Sequence, residues 1–301
     1  MAGGNPLSPE NLIGHTKDAT YFHVPKFFDH LGISKDGHVE IPQFATAGKT
    51  EPNAVIESFD LQITKFMLIE VFVAVCCVAI FAWVASKVST GERPKGGLWN
   101  LFETFLLFIR DQVARPAIGH GADKFLPFLW TMFFFVLGCN LLGMVPWAGS
   151  PTGAFACTVV LALLTFATVI ISGSKEMGVL GFWKNQVPHM DLPVYMFPLK
   201  IGIFLIEVLG LFIKHFVLAV RLFANMLAGH VVLGALLAFI SVIAALEFVT
   251  SYSHPLMIGV SIASILGALA ISMLELFVAF LQAYIFTFLS ALFIGMAVHE
   301  H

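Results

Sequence analysis

Arg221, Asn225, His230, Glu275 and Gln282 interrupt two long apolar stretches, and their types suit the handling of protons inside a membrane. Arg221 is the most unusual. It is the last Lys or Arg of the chain, with 80 residues after it, and it sits within an apolar run. A guanidinium keeps its proton in a protein. Placing it in hydrocarbon costs roughly 2.5–3.5 kcal/mol on insertion scales, unless a carboxylate or a water-filled cavity offsets the charge. The ordinary alternative is an arginine that snorkels at a helix end. The apolar run continues for 28 residues beyond Arg221, to position 249, which argues against that alternative.

The stretch SYSHP at 251–255 is the clearest turn signal in the last hundred residues. Folding the chain back at Ser253 brings His230, 23 residues before the turn, level with Glu275, 22 after it. Gln282 falls level with position 224, within a turn of Arg221 and Asn225. Glu275 and Gln282 are seven apart and share a stripe, and Arg221 and Asn225 are four apart and share another. Glu207 lies about 40° from the face of Arg221 at 100° per residue, and His230 lies near the opposite side. The result is a ladder. Glu207 lies toward the cytoplasmic end, Arg221, Asn225 and Gln282 in the middle, His230 and Glu275 toward the outer side, and Glu247 and His254 near the outer turn. Acids, histidines and amides pass protons by changing protonation or holding water, whereas arginine does not. A proton path divided by a permanent cation is the chemistry this pattern suggests. A structural Arg221–Glu275 ion pair is the competing reading, but one fastener would not need a ladder.

The elements that position these residues follow from composition. Hydrophobic residues make up 58% of the 301 residues and charged residues 12%, against roughly 25% charged in soluble domains. With a mean hydropathy of +0.89, the chain reads as an all-α polytopic membrane protein with five to six membrane helices. Collagen, disorder and a small disulfide scaffold are excluded. The net charge of −3 argues against nucleic acid as a partner. Cys76, Cys77, Cys139 and Cys157 lie inside apolar runs with no metal-ligand spacing, so they read as small buried hydrophobes. No metal and no cofactor is expected. The N-terminus has neither a basic start nor an apolar core, so no cleavable signal peptide is expected.

Residues 1–65 form a polar N-terminal segment, and residues 66–301 form the membrane domain. YFHVPKFFDHLG, at 21–32, suits either a short interfacial helix or, preferably, a surface segment resting on the membrane. Spans are expected at 66–86, 125–147 and 155–172. Residues 98–118 mix apolar residues with Glu103, Arg110, Asp111 and Arg115, the pattern of an amphipathic surface helix. Residues 201–250 and 255–298 are each long enough for two spans, but no proline or glycine cluster divides them. Two long, tilted helices in an antiparallel hairpin are therefore expected. Lys and Arg concentrate in the 87–124 and 173–200 loops, whereas 148–154 and 250–255 have none. The positive-inside rule then places the N-terminal segment outside and the C-terminus in the cytoplasm.

The residues also carry a family likeness. Arg221-Leu222-Phe223-Ala224-Asn225-Met226-Leu227-Ala228-Gly229-His230 resembles the RLFxNMxAGH/E signature of ATP synthase subunit a, the proton-channel subunit of the membrane motor. Glu275 to Phe286, ELFVAFLQAYIF, resembles that family's final-helix motif. Asn140 to Pro146, NLLGMVP, resembles its NLxxxxP segment. The likeness covers 66–301 in order and spacing. It implies that Arg221 faces a rotor ring of c subunits and that His230 and Glu275 form a pair found in the reverse order in many bacteria. It also implies that Asn225 and Gln282 flank the arginine and that Glu207 lies near the inner access path. Gly143 stands where some relatives have Asp, so no acid is assigned there. A stator in a bacterial inner membrane, with peripheral-stalk b subunits and lipid as further partners, follows from the same resemblance. The chain has no Walker A motif, so nucleotide catalysis is expected on other subunits.

Two other classes fit less well. A proton- or sodium-coupled secondary transporter would show repeats and broken helices, and a membrane hydrolase would show HExxH, GxSxG or paired aspartates. None of these is present. A purely structural membrane protein would leave the intramembrane Arg221 unexplained.

Overall fold

The computed structural model describes residues 18–23, 38–42, 63–89, 96–145, 148–185, 197–249 and 254–299. Two three-residue strands, β1 (Tyr21–His23) and β2 (His38–Glu40), pair antiparallel with Tyr21 opposite Glu40. The helices follow: α1 (Lys65–Ser89), α2 (Gly97–Phe108), a π-helical turn (Ile109–Ala114), α3 (Arg115–Ile118), α4 (Leu126–Gly143), α5 (Phe155–Met177), α6 (Val179–Asn185), α7 (Phe197–Val249) and α8 (His254–Val298). Short 3-10 turns lie at Ala122–Lys124 and Pro151–Gly153. Among the described residues, five helices are long and apolar enough to cross a membrane. The protein is an all-α polytopic membrane protein.

The strands exclude the helical alternative at the start of the YFHVPKFFDHLG segment. Tyr21–His23 is extended, and the rest of that segment lies outside the described residues. Aromatic residues favour a pleated surface, and Pro25 cannot continue a ladder as a donor.

The question of two long helices or four short spans is settled by α7, with 53 residues, and α8, with 45, each unbroken. At 1.5 Å per residue they measure about 80 Å and about 70 Å. Both exceed a hydrocarbon core about 30 Å thick, so steep tilt is required to keep their apolar length in lipid. Pro255 sits in the first turn of α8, where its missing N–H removes no helical bond.

The chain divides into two compact units. Unit one takes residues 1–75, 138–154 and 226–277, and unit two takes 76–137, 155–225 and 278–301. In unit one, Thr64 caps α1 by accepting from the Met67 N–H at 3.4 Å, and Asp18 accepts from the Phe66 N–H at 3.3 Å. Ala19 O accepts from the Lys65 N–H at 2.9 Å, which ties the strand segment to the start of α1. Positions farther along α7 meet earlier positions of α8: Gly229 lies against Glu275, and Leu236 against Gly267. That ordering is antiparallel.

In unit two, the π-helical turn has a local cause. Pro116 has no N–H to give to the carbonyl four residues back, so the ladder loosens, and the Arg115 N–H reaches Arg110 O, five residues back. Arg115 and Asp111 then pair at 2.8 Å on the exposed side. Trp130 donates its indole N–H to Leu106 O at 3.1 Å, fixing α2 to α4. The last turns of α8 place Gly295 directly against the Ala117 carbonyl. Small residues Ala279, Ala283, Ala291 and Ala297 are buried along α8, which lets backbones approach closely as apolar attraction alone cannot in lipid. Large exposed apolar side chains such as Val71, Phe72, Leu205 and Phe277 suit a surface solvated by lipid.

Candidate functional site

Unit one holds the histidine and the acid. His230 projects from α7 and Glu275 from α8, with Nδ1 and Oε1 3.6 Å apart and side-chain exposures of 16% and 6%. That separation is too long for a direct hydrogen bond but within ion-pair distance when the imidazole is protonated. His230 Nε2 and Glu275 Oε1 have no hydrogen-bond partner among the described residues. Each group therefore keeps capacity to take or give a proton. Room for the carboxylate comes from Gly229: a Cβ there would lie 2.7 Å from Glu275 Oε1. The antiparallel register predicts which pair meets, but the tight fit against Gly229 is visible only in three dimensions.

Asn140 is also in unit one, fully buried in the last turn of α4. Its Oδ1 accepts from the Thr152 hydroxyl at 2.7 Å, and the Thr152 and Ser150 hydroxyls are 2.8 Å apart. This buried network ties the α4–α5 connection to the helix end. Ser150 also occupies the space beside Gly143, where a Cβ would lie 2.5 Å from Ser150 Cβ. A larger residue at 143 would need a different loop.

Unit two holds the cation and the amides. Asn225 donates from Nδ2 to Gln282 Oε1 at 2.9 Å. Gln282 is 1% exposed, and its Nε2 has no partner among the described residues. Arg221 is half-buried, one turn before Asn225 on α7. Among the described residues, it has neither a hydrogen-bond nor an ion-pair partner. Glu207 is half-buried on α7, likewise without an ion-pair partner among the described residues. Glu247 lies in α7 and His254 begins α8, and both side chains fall outside the described ones. No cluster of His, Cys, Asp or Glu able to hold a metal occurs among the described residues.

The structure thus makes two couples, His230 with Glu275 and Asn225 with Gln282, and leaves Arg221 without a partner in its own chain among the described residues. The sequence model of the family described as ATP synthase A chain matches residues 67–295. The chain belongs to this family. The match includes both couples and Arg221, while β1 and β2 lie outside it. A relative from Chlorobaculum tepidum, ATP synthase subunit a 2, is 42% identical over 266 residues, covering 87% of this chain and 67% of the relative. ATP synthase subunit a of Myxococcus xanthus is 40% identical, covering 86% of this chain and 82% of that one. The Chloroherpeton thalassium subunit a is 39% identical, with coverages of 92% and 79%.

Sequence reasoning singled out neither Gly229, Thr152 and Ser150 nor the buried His215. Gly229 carries a signal only through its place beside His230. His215 recurs on the same helical stripe as Leu211, Leu218 and Leu222, where it is indistinguishable from core.

Proposed function

We propose that this chain is the stator proton-channel subunit of a rotary ATP synthase and couples proton flow to ATP synthesis performed on other subunits. One observation supports this most: Arg221 is a half-buried guanidinium on a long apolar helix, with no hydrogen-bond or ion-pair partner among the described residues. Such a charge calls for an anion supplied from outside the chain. A carboxylate on a separate rotor helix, one of a ring of c subunits, meets that need.

In this reading, a proton enters from the outer side past His230 and Glu275 and neutralises a rotor carboxylate. The rotor turns. On the other side of Arg221 the carboxylate ionises, because a nearby cation lowers a carboxyl pKa, and the proton leaves past Glu207 to the cytoplasm. The Asn225–Gln282 pair holds the polar lining beside the arginine. A permanent cation between the two half-channels blocks a direct leak. Each proton gains about 2.3 kcal/mol per 100 mV on crossing, so several crossings are needed for each ATP. Peripheral-stalk b subunits hold the stator in place, and the membrane is the bacterial inner membrane, with the N-terminal segment outside and the C-terminus in the cytoplasm.

The test is Arg221→Ala in the whole complex, reconstituted in liposomes. ATP-driven proton pumping should vanish while the subunits stay assembled. Coupled pumping at the parental rate would remove the arginine from this role and the reading with it.

A further inference from the structure

His215 is a buried ionisable residue that this route does not use. It lies on α7, six residues before Arg221, in unit two. It is 4% exposed. Phe166 of α5 and Phe293 of α8 flank its ring, with centroids at 5.1 Å and 4.8 Å. Nδ1 lies 2.9 Å from Leu211 O, so the proton of a neutral ring sits on Nδ1 and is donated to that carbonyl. Nε2 is then a bare acceptor. It is inaccessible and has no partner among the described residues. Left unmet, a buried acceptor costs about 1–3 kcal/mol, and proteins usually satisfy it with internal water.

Two buried hydroxyls belong to the helix segments that carry the flanking rings. Thr165 directly precedes Phe166, and Ser290 lies one turn before Phe293. Both are fully buried, with their oxygens 3.5 Å apart. Thr165 donates to Leu161 O at 3.2 Å and Ser290 to Phe286 O at 2.7 Å. Their own oxygens are left as acceptors. An unpartnered nitrogen and two hydroxyl oxygens with spare lone pairs can all accept from water. On α8, the buried polar residues Gln282, Thr287 and Ser290 extend from the level of Asn225 toward this place, about 12 Å along the helix.

We propose that His215, with Thr165 and Ser290, forms a water-holding relay that carries protons between the Arg221 level and the membrane face nearer the start of α7. The inference rests on the proton-channel reading above. Nε2 takes the excess proton from a hydronium on the arginine side, leaving water and an imidazolium, and then gives it to a water on the other side, so the same N–H bond forms and breaks and the ring returns to neutral. Nδ1 keeps its proton on Leu211 O, and the ring need not turn.

The test is His215→Phe in the whole complex, with proton flux measured in liposomes under an imposed potential while ADP and phosphate are supplied, so that the coupled complex can turn over. A phenylalanine fits beside two phenylalanine rings, so a packing role predicts parental conductance. The relay predicts a loss of about 10²-fold, within the range of a positioned acid–base group. His215→Gln, which still holds water, should recover part of it. Parental conductance in the Phe variant overturns the relay. Should that variant fail to assemble, Ser290→Ala removes only a hydroxyl: a several-fold loss supports the relay, and an unchanged rate overturns it. A parent complex that conducts no protons sinks the channel reading and the relay together, whereas a conducting parent matched by its Phe variant sinks the relay alone.

Discussion

Gly229→Ala separates packing from proton handling. The new Cβ would lie 2.7 Å from Glu275 Oε1, 3.1 Å from Cδ and 3.4 Å from Cγ. Carbon–oxygen contacts settle near 3.3 Å, so the carboxylate must move by about 0.6 Å. It is the far end of a flexible side chain, so the overpacking cost falls near the low end of about 1–3 kcal/mol. Alanine gains about 0.8–1.0 kcal/mol over glycine inside a helix. The two terms nearly cancel, and the thermal midpoint of the complex should shift little. The His230–Glu275 spacing, now 3.6 Å, has no such compensation. Misplacing a reacting group by 1 Å costs up to about 10²-fold, so proton uptake should fall roughly tenfold or more. The assay is the initial rate of uptake from the outer side in proteoliposomes, beside a melting curve. Parental uptake with an unchanged midpoint would refute the assignment of Glu275 to the entry path.

Three further outcomes are expected. Gly143→Ala drives a Cβ against Ser150, including its Cα at 3.0 Å; a backbone atom gives way less readily, so the midpoint should drop by the equivalent of about 1–3 kcal/mol, and an unchanged melt would contradict the packing. Gln282→Leu deletes both a buried Nε2 that has no partner among the described residues and the acceptor for Asn225. Stability should change by less than about 1 kcal/mol while conductance falls, and equal conductance would exclude this amide from the path. Gly295→Ala places a methyl on the Ala117 carbonyl. It should destabilise unit two by about 3 kcal/mol or more, seen as reduced assembly, and normal yield and melting would count against the contact.

The couples were legible in sequence because helices are rigid and one turn signal sets their register. With the turn at Ser253, Gln282 falls level with position 224, and it bonds to Asn225. The unbroken length of α7 and α8 was legible for the same reason: nothing in either stretch stops a helix. The β1–β2 pairing was not, because Tyr21 meets Glu40, a partner far off in sequence, and three residues carry too little pattern. The π-helical turn depends on Pro116, which is plain in the sequence, but its consequence appears only in the backbone ladder. The missing acid at Gly143 was readable, whereas the residue that fills its place, Ser150, belongs to a loop whose path no periodicity describes. His215 carried no signal of a role because it shares a buried stripe with Leu211, Leu218 and Leu222, and its seat between Phe166 and Phe293 appears only in three dimensions.

The continuity of α7 turns it into a ruler. From Arg221 to His230 the backbone ladder is continuous, with neither a loop nor a proline to absorb a change in residue number. One added residue would swing everything downstream by about 100° and advance it by 1.5 Å. Divergence in this segment is therefore confined to swapping side chains at a constant count, and insertions must collect where the backbone is already free of the ladder.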